Sequence, residues 1–291
     1  MIANIQLKGS FPTAADYFSS ADYLSILNDE SMSVIVPLMV SVNEEFFLEY
    51  SDQATVSGQA NYRIPKRSVV SGLRDCQLID TSGNVTQLAR LFEDGKTTVA
   101  SQARGYYLKG NQVVLSPTPT DSTMTLRLAY FRRPQSYVLP TACAQVSAIN
   151  TVSNIVTVSS APSTFATGVL LDFVQGATPY DTLAFDQAVV GISGTAITFS
   201  SLPTGLALGD WLSLSTQTCV PGIPEEVVPL LVQAALVTCL SAKKDNAVSV
   251  EKDKMERMAQ NLLRILAPRV RDNSVKINNL SGPMSRFQRY W

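Results

Sequence analysis

The chain has 291 residues, 45% of them hydrophobic, enough to fill one large core or two medium ones. Its formal net charge is −1 and 16% of its residues are charged, against about a quarter in a typical soluble domain. That balance excludes a global basic field toward nucleic acid or acidic lipid, and the absence of histidine excludes Ser-His and Cys-His nucleophilic catalysis.

A surface so poor in charge suits coverage by neighbouring subunits. The four cysteines, Cys76, Cys143, Cys219 and Cys239, form no C-x-x-C pair, so zinc ribbons and dithiol redox motifs are not expected. Buried free thiols are the expected state, with a Cys143–Cys219 bridge as the alternative. The first residues lack the positive lead and apolar core of a signal peptide. No apolar run reaches roughly 18 residues, so no membrane span is expected.

In chain order, Thr13 and Asp16 have the spacing of a capping box opening a short helix through Tyr17 and Phe18. The stretch 24–50 reads as mainly helical, with Pro37 opening a new helix or kinking one. From Tyr62 the pattern turns extended, through YRIP and Leu73 to Ile79, and stops at Asp80-Thr81-Ser82-Gly83-Asn84. The segment 105–134 predicts a strand at 106–108, a Lys109-Gly110-Asn111 turn, a strand at 113–115, a proline-rich break and a strand at 124–131. In the last of these Met124, Leu126, Leu128 and Tyr130 alternate with Thr125, Arg127 and Ala129.

Between Pro140 and Cys219 there is no Lys or Arg, and the charged residues are Asp172, Asp181, Asp186 and Asp210. The segment also repeats: 155–173 superimposes without gaps on 196–214, with Pro162 and Pro203, and Gly168 and Gly209, 41 residues apart. Two similar hairpin units closing on one another into a small barrel or sandwich are the expected result. Beyond it, Pro224-Glu225-Glu226 predicts a helix start, and Val227, Leu231, Ala234, Ala235 and Thr238 form one apolar stripe. Lys243 to Asn246 breaks that helix. A second runs over 249–267, with Met255, Met258, Leu262, Ile265 and Leu266 inward, making a helical hairpin. The last stretch, 269–291, is basic and aromatic and ends Arg286-Phe287-Gln288-Arg289-Tyr290-Trp291.

These observations predict an α+β fold. A helical-hairpin or helix-bundle core with a small antiparallel sheet (1–139 and 220–268) would carry an inserted all-β domain (140–219) and an extended C-terminal docking tail (269–291). No catalytic residue, metal site or cofactor is assigned. Adjacent carboxylates such as Glu44-Glu45 and Glu225-Glu226 point about 100° apart on a helix and cannot flank one glycosidic bond. The four aspartates of the insert lack calcium-loop spacing.

Three blocks in order carry a resemblance to a known family: 34–56 (VIVPLMVSVNEEFFLEYSDQATV), 61–84 (NYRIPKRSVVSGLRDCQLIDTSGN) with the strands ending LAYFRRP, and 223–242 (IPEEVVPLLVQAALVTCLSA). In this order they resemble the head-to-tail adaptor, or connector-ring, proteins of short-tailed bacteriophages. The resemblance implies a virion structural protein, made in the host bacterial cytoplasm and placed at the portal vertex. It implies a homo-oligomeric ring, usually of twelve copies, under the portal protein. Such a ring seals the packaged DNA, offers a platform to the tail hub or nozzle, and lets double-stranded DNA through its lumen without specific binding. Under that reading Arg286, Phe287, Arg289, Tyr290 and Trp291 dock on the portal, and Lys66, Arg67, Arg132 and Arg133 are candidates for channel or intersubunit contacts. The insert, absent from smaller members, would face outward toward tail-fibre or capsid proteins. The alternatives are a tail or receptor-binding component whose duplicated β domain grips a glycan, and a tail-associated peptidoglycan hydrolase.

Overall fold

The computed structural model describes residues 1–11, 17–42, 44–91, 105–177 and 180–266, with the backbone alone at 44 and 70–72. Among them the expected helical core with a small sheet is overturned. The chain is mostly β, built from a closed six-stranded barrel and several sheets, and the helices form one layer beside them. The short strands between 48 and 90 explain the difference. They are two to seven residues long apart from one, they are rich in Asp, Gln, Ser and Thr, and most of their side chains are exposed or half-buried, so no apolar alternation announces them.

The helical layer comprises α1 (Ile2–Lys8), α2 (Ser20–Glu30), α3 (Val36–Val42), α4 (Val228–Lys243) and α5 (Val248–Leu266). The Thr13–Asp16 pair lies outside the described residues. The capping box that the structure does contain is Ser19 with Asp22: the Asp22 N–H donates to Ser19 Oγ (3.2 Å) and the Ser19 N–H to Asp22 Oδ2 (2.7 Å). Pro37 follows a π-helical turn, Ser31–Ile35, as expected where a residue without an N–H interrupts the ladder. Helix α4 is buried nearly all round, at Leu230, Leu231, Val232, Ala234, Ala235, Leu236, Cys239 and Leu240, rather than along one stripe. It packs against α1, α2 and α5. The continuous helix Ser20–Val42 is long and apolar enough to cross a bilayer by length and composition, a test that a buried core helix passes as well. Here Tyr23, Leu27, Ile35, Val36 and Met39 of that helix are buried within the layer.

Two four-stranded sheets adjoin it. In the first the order is β1 (Leu48–Ala54), β8 (Thr125–Arg132), β3 (Ser68–Ile79), β4 (Val85–Gln87). In the second it is β2 (Asn61–Arg63), β7 (Gln112–Ser116), β6 (Gly105–Lys109), β5 (Ala89–Arg90). The β6–β7 hairpin turns at Gly110 (φ +57°), but β8 lies in the other sheet, because the Pro117–Pro119 break carries the chain across. Two short strands, β9 (Ser136–Tyr137) and β16 (Gln217–Thr218), pair in parallel where the chain enters and leaves the barrel.

The barrel strands are β10 (Ala144–Asn150), β11 (Ile155–Val158), β12 (Leu170–Val174), β13 (Thr182–Ser193), β14 (Ala196–Phe199) and β15 (Trp211–Leu214), closed in the order β10-β11-β14-β13-β12-β15. The repeating unit is therefore three strands, not a hairpin, and the two units interlock. Exchanging β10, β11, β12 for β13, β14, β15 leaves that circular order unchanged, the mark of a pseudo-twofold axis. The hydrogen bonds repeat with it. The Gly168 and Val189 amides pair with Val189 and Val169 carbonyls, and the Gly209 and Val146 amides with Val146 and Asp210 carbonyls, so each unit's loop is pinned to the other's first strand. Gly168 (φ +83°) and Gly209 (φ +90°) occupy the left-handed region at matching places.

A third glycine of the barrel is needed for another reason. A Cβ on Gly176 would lie 2.0 Å from the Gly209 carbonyl oxygen, and the Gly176 amide donates to Asp210 Oδ1 at 2.9 Å. Gly176→Ala is expected to lower stability by on the order of 2–3 kcal/mol, against about 1–2 kcal/mol for Gly168→Ala, where only the backbone conformation resists. Urea unfolding monitored by circular dichroism measures both; equal losses would contradict the close-approach argument.

Candidate functional site

The described residues form three separate apolar clusters: the helical layer with Tyr137 and Ile223, the barrel interior, and the interior shared by the two sheets. What joins them is polar. At its centre is Arg67, from the loop that opens β3, with 5% of its side chain exposed. Its Nη2 donates to Asp172 Oδ1 at 2.6 Å and Asp186 Oδ1 at 2.8 Å, its Nε to Asp186 Oδ2 at 2.8 Å, and Nη2 also to Ser215 Oγ at 3.1 Å. The neighbouring backbone is tied as well, since the Arg133 amide donates to the Arg67 carbonyl at 2.6 Å.

Asp172 is fully buried at the barrel's pseudo-dyad, where β12 and β15 pair it with Ser213. The two are equivalent positions of the repeat, and only one carries charge. Ser213 Oγ turns to the Gln217 carbonyl (2.6 Å), whereas Asp172 accepts from Arg67, from Gln135 Nε2 (2.7 Å) and from the Asp186 (3.0 Å) and Thr216 (3.1 Å) amides. Burial pushes the Asp172 carboxyl up, against the pull of those bonds. All four partners donate and none accepts, which suits only the ionised form. Hydrogen bonds from Arg67 hold the half-exposed Asp186 below the usual carboxylate range. Burial opposes the Arg67 charge, and the bonds to Asp186 and Asp172 outweigh it.

Arg132, at the end of β8, is the second cation. Burial and the nearby Arg67 charge lower its pKa, which Glu49 partly counters. Its Nε has no hydrogen bond among the described residues, with Glu49 Oε1 3.5 Å away. Both guanidinium groups lie over the Phe185 ring, Arg67 at 4.7 Å and Arg132 at 4.9 Å from its centroid, so the ring's negative faces moderate their repulsion. A cleft of about 260 Å³ beside them is lined by Phe46, Glu49, Arg132, Tyr180, Asp181 and Phe185. On the helical side Asn28 reads both backbone groups of Tyr137: its Nδ2 donates to the carbonyl (3.2 Å) and its Oδ1 accepts from the amide (2.6 Å). Burial raises the Tyr137 phenol to about 12.

Of the four cations assigned from sequence to channel or intersubunit contacts, Arg67 and Arg132 are thus turned into the interior of the chain itself. Lys66 and Arg133 are exposed beside them. Arg286, Phe287, Arg289, Tyr290 and Trp291 lie outside the described residues. Asp172, Asp186, Gln135 and Asn28 were not singled out as a set. One signal for the aspartates was available: four acids in a segment without a single Lys or Arg, so a buried member needs a cation from outside.

Ser215 Oγ donates to Asp186 Oδ1 at 2.5 Å while accepting from Arg67 Nη2, so the polar groups around Arg67 are tied to one another, as in an orienting joint. No family model and no curated protein matches the chain. Among solved structures it has a likeness to the group B streptococcus pilus 2b backbone protein, at 15% identity over 57% of this chain and 83% of that one, with a TM-score of 0.19, which carries no argument for fold or function.

Arg67→Met leaves Asp172 buried without its cation and is expected to cost about 3–5 kcal/mol. Arg67→Lys recovers little, because an ammonium cannot serve both carboxylates in a fork. The exposed bidentate pair of Arg127 and Asp52, across β8 and β1, is the control, and Arg127→Met is expected to cost far less than Arg67→Met. Denaturant unfolding of the three variants checks the order, and similar losses at Arg67 and Arg127 would refute it.

Proposed function

We propose that the chain is the subunit of a head-to-tail adaptor ring of a short-tailed bacteriophage, a virion protein that docks under the portal and offers the tail its platform. The observation that carries the reading is the meeting of the first and third resemblance blocks in one helical layer whose outer helix stays open. Helix α5 is 19 residues long with only Leu262 fully buried, and it leaves Val250, Leu263 and Ile265 exposed. Leu7 of α1 is 81% exposed. Apolar residues in such numbers on one helical layer suit packing against neighbouring copies. The low charged fraction, 16%, agrees.

The glycan-binding alternative wants exposed aromatic platforms on the barrel. Phe165, Phe173 and Phe199 are buried inside it, Phe185 is covered by two guanidinium groups, and Trp211 is half-buried. The barrel fits better as a rigid outward module held at a set angle.

The test is assembly on isolated portal rings of the encoding phage, followed by electron microscopy and native mass spectrometry. A closed ring of this chain on the portal is expected, and Leu263→Glu with Ile265→Glu is expected to abolish it while leaving the subunit's circular dichroism unchanged. Deleting 281–291 is expected to leave the subunit folded and to lose attachment to DNA-filled heads. A chain that stays off portals at micromolar concentration, or assembles as a trimer without them, would overturn the reading.

A further inference from the structure

Two thiols stand at the neck of the barrel. Cys143 comes one residue before β10, and Cys219 directly follows β16, so they bracket all six barrel strands. Their backbones are fixed by local bonds: the Cys143 amide donates to the Pro140 carbonyl (3.1 Å), and the Val138 amide to the Thr218 carbonyl (2.9 Å) across the β9–β16 pair. All four cysteines are free thiols in this structure. The side chains of Cys143 and Cys219 are neighbours at this neck, close enough for each to perturb the other. Cys143 is 2% exposed, while Cys219 is half-buried and reachable from solvent. The other two cysteines cannot compete, since Cys76 is sealed in the interior between the sheets and Cys239 in the helical layer.

We propose that Cys143 and Cys219 are a reversible thiol–disulfide pair, which a low-molecular-weight disulfide such as oxidised glutathione closes into a covalent staple across the neck of the barrel. The roles differ between the two. Cys219 is the attacking sulfur because it is the one solvent reaches, whereas Cys143 is 2% exposed and reacts only with its neighbour. The Cys219 thiolate displaces one glutathione thiolate from glutathione disulfide and forms a mixed disulfide. Cys143 then gives its proton to the departing thiolate, attacks the Cys219 sulfur and expels the second glutathione. Two protein thiols are oxidised to one disulfide, and one glutathione disulfide is reduced to two molecules of glutathione.

The closed loop would contain the whole barrel, so the bridge restrains the unfolded chain strongly without a change in barrel contacts. A reducing cytosol would keep the neck open and an oxidising medium would close it. The inference does not depend on the adaptor reading, because it concerns the neck and not what the barrel touches.

The experiment equilibrates the full-length protein in glutathione buffers from fully reduced to fully oxidised, followed by acid quench, alkylation in denaturant, intact mass and peptide mapping. The oxidised protein is expected to lose two of its four alkylatable thiols, at Cys143 and Cys219, and to weigh two hydrogens less. Its melting temperature should rise by roughly 5–10 °C and fall back with dithiothreitol. Cys143→Ser should trap one glutathione on Cys219. Were that variant not to fold, the wild-type map still decides. Four retained thiols, a persistent glutathione on wild-type Cys219, or a bridge involving Cys76 or Cys239 would overturn the proposal.

Discussion

The ion pair between Arg67 and Asp172 is the contact on which the shape of the folded chain depends, because the hydrophobic effect does not supply it. Apolar burial is non-directional and stabilises each of the three interiors separately. It does not say at what angle a barrel should stand on a pair of sheets. A guanidinium fork serving two carboxylates does, since its donors lie in one plane at set directions. The cost is desolvation of a fully buried carboxylate, offset only because Gln135 and the Asp186 and Thr216 amides complete its shell. Asn28 performs the same service toward the helices through the backbone of Tyr137. Specific angle is thus set by polar groups and cohesion by apolar ones.

The duplication in the barrel makes the choice of Asp172 intelligible. A twofold-related pair of units would ordinarily place identical residues on the dyad, where β12 and β15 face each other. Here one copy carries Asp172 and the other Ser213. That single difference gives a symmetric module a unique attachment point, and the Asp172 side faces the cation brought by the chain outside the repeat. Asp210, the other deeply buried acid of the barrel, stays within it and caps its own loop through the Ala207 amide (2.7 Å).

Parts of this were legible and parts were not, for physical reasons. The hairpin of β6 and β7 and the strand β8 could be read because a glycine turn and strict alternation mark them. The repeat showed β11, β12, β14 and β15 because those strands and their loops keep a 41-residue register. It hid β10 and β13. Between β10 and β11 the turn holds residues 151–154, but between β13 and β14 only 194–195, so the register shifts by two and a gapless comparison loses the similarity. Val146 and Val189 then correspond, and each first strand bulges just after that valine. The strands β1, β4 and β5 escaped because short, half-exposed, polar strands take their pairing from neighbours rather than from their own pattern. The site escaped because its four contributors, Arg67, Gln135, Asp172 and Asp186, come from far-separated positions that only the folded chain brings together.

In the ring proposed above these features would have a common use. A module projected at a fixed angle from each of many copies presents its partners with a regular array, and regularity is what multivalent attachment needs. The central claim is that the Arg67 network sets that angle while the barrel folds on its own interior. Amide hydrogen exchange of Arg67→Met beside the wild type tests it most directly. The account predicts faster exchange concentrated at the seam, at the Asp186, Thr216, Ser136 and Val138 amides, with the β11–β14 amides across the barrel protected as before. Acceleration of equal size throughout the barrel, or none at the seam, would contradict it.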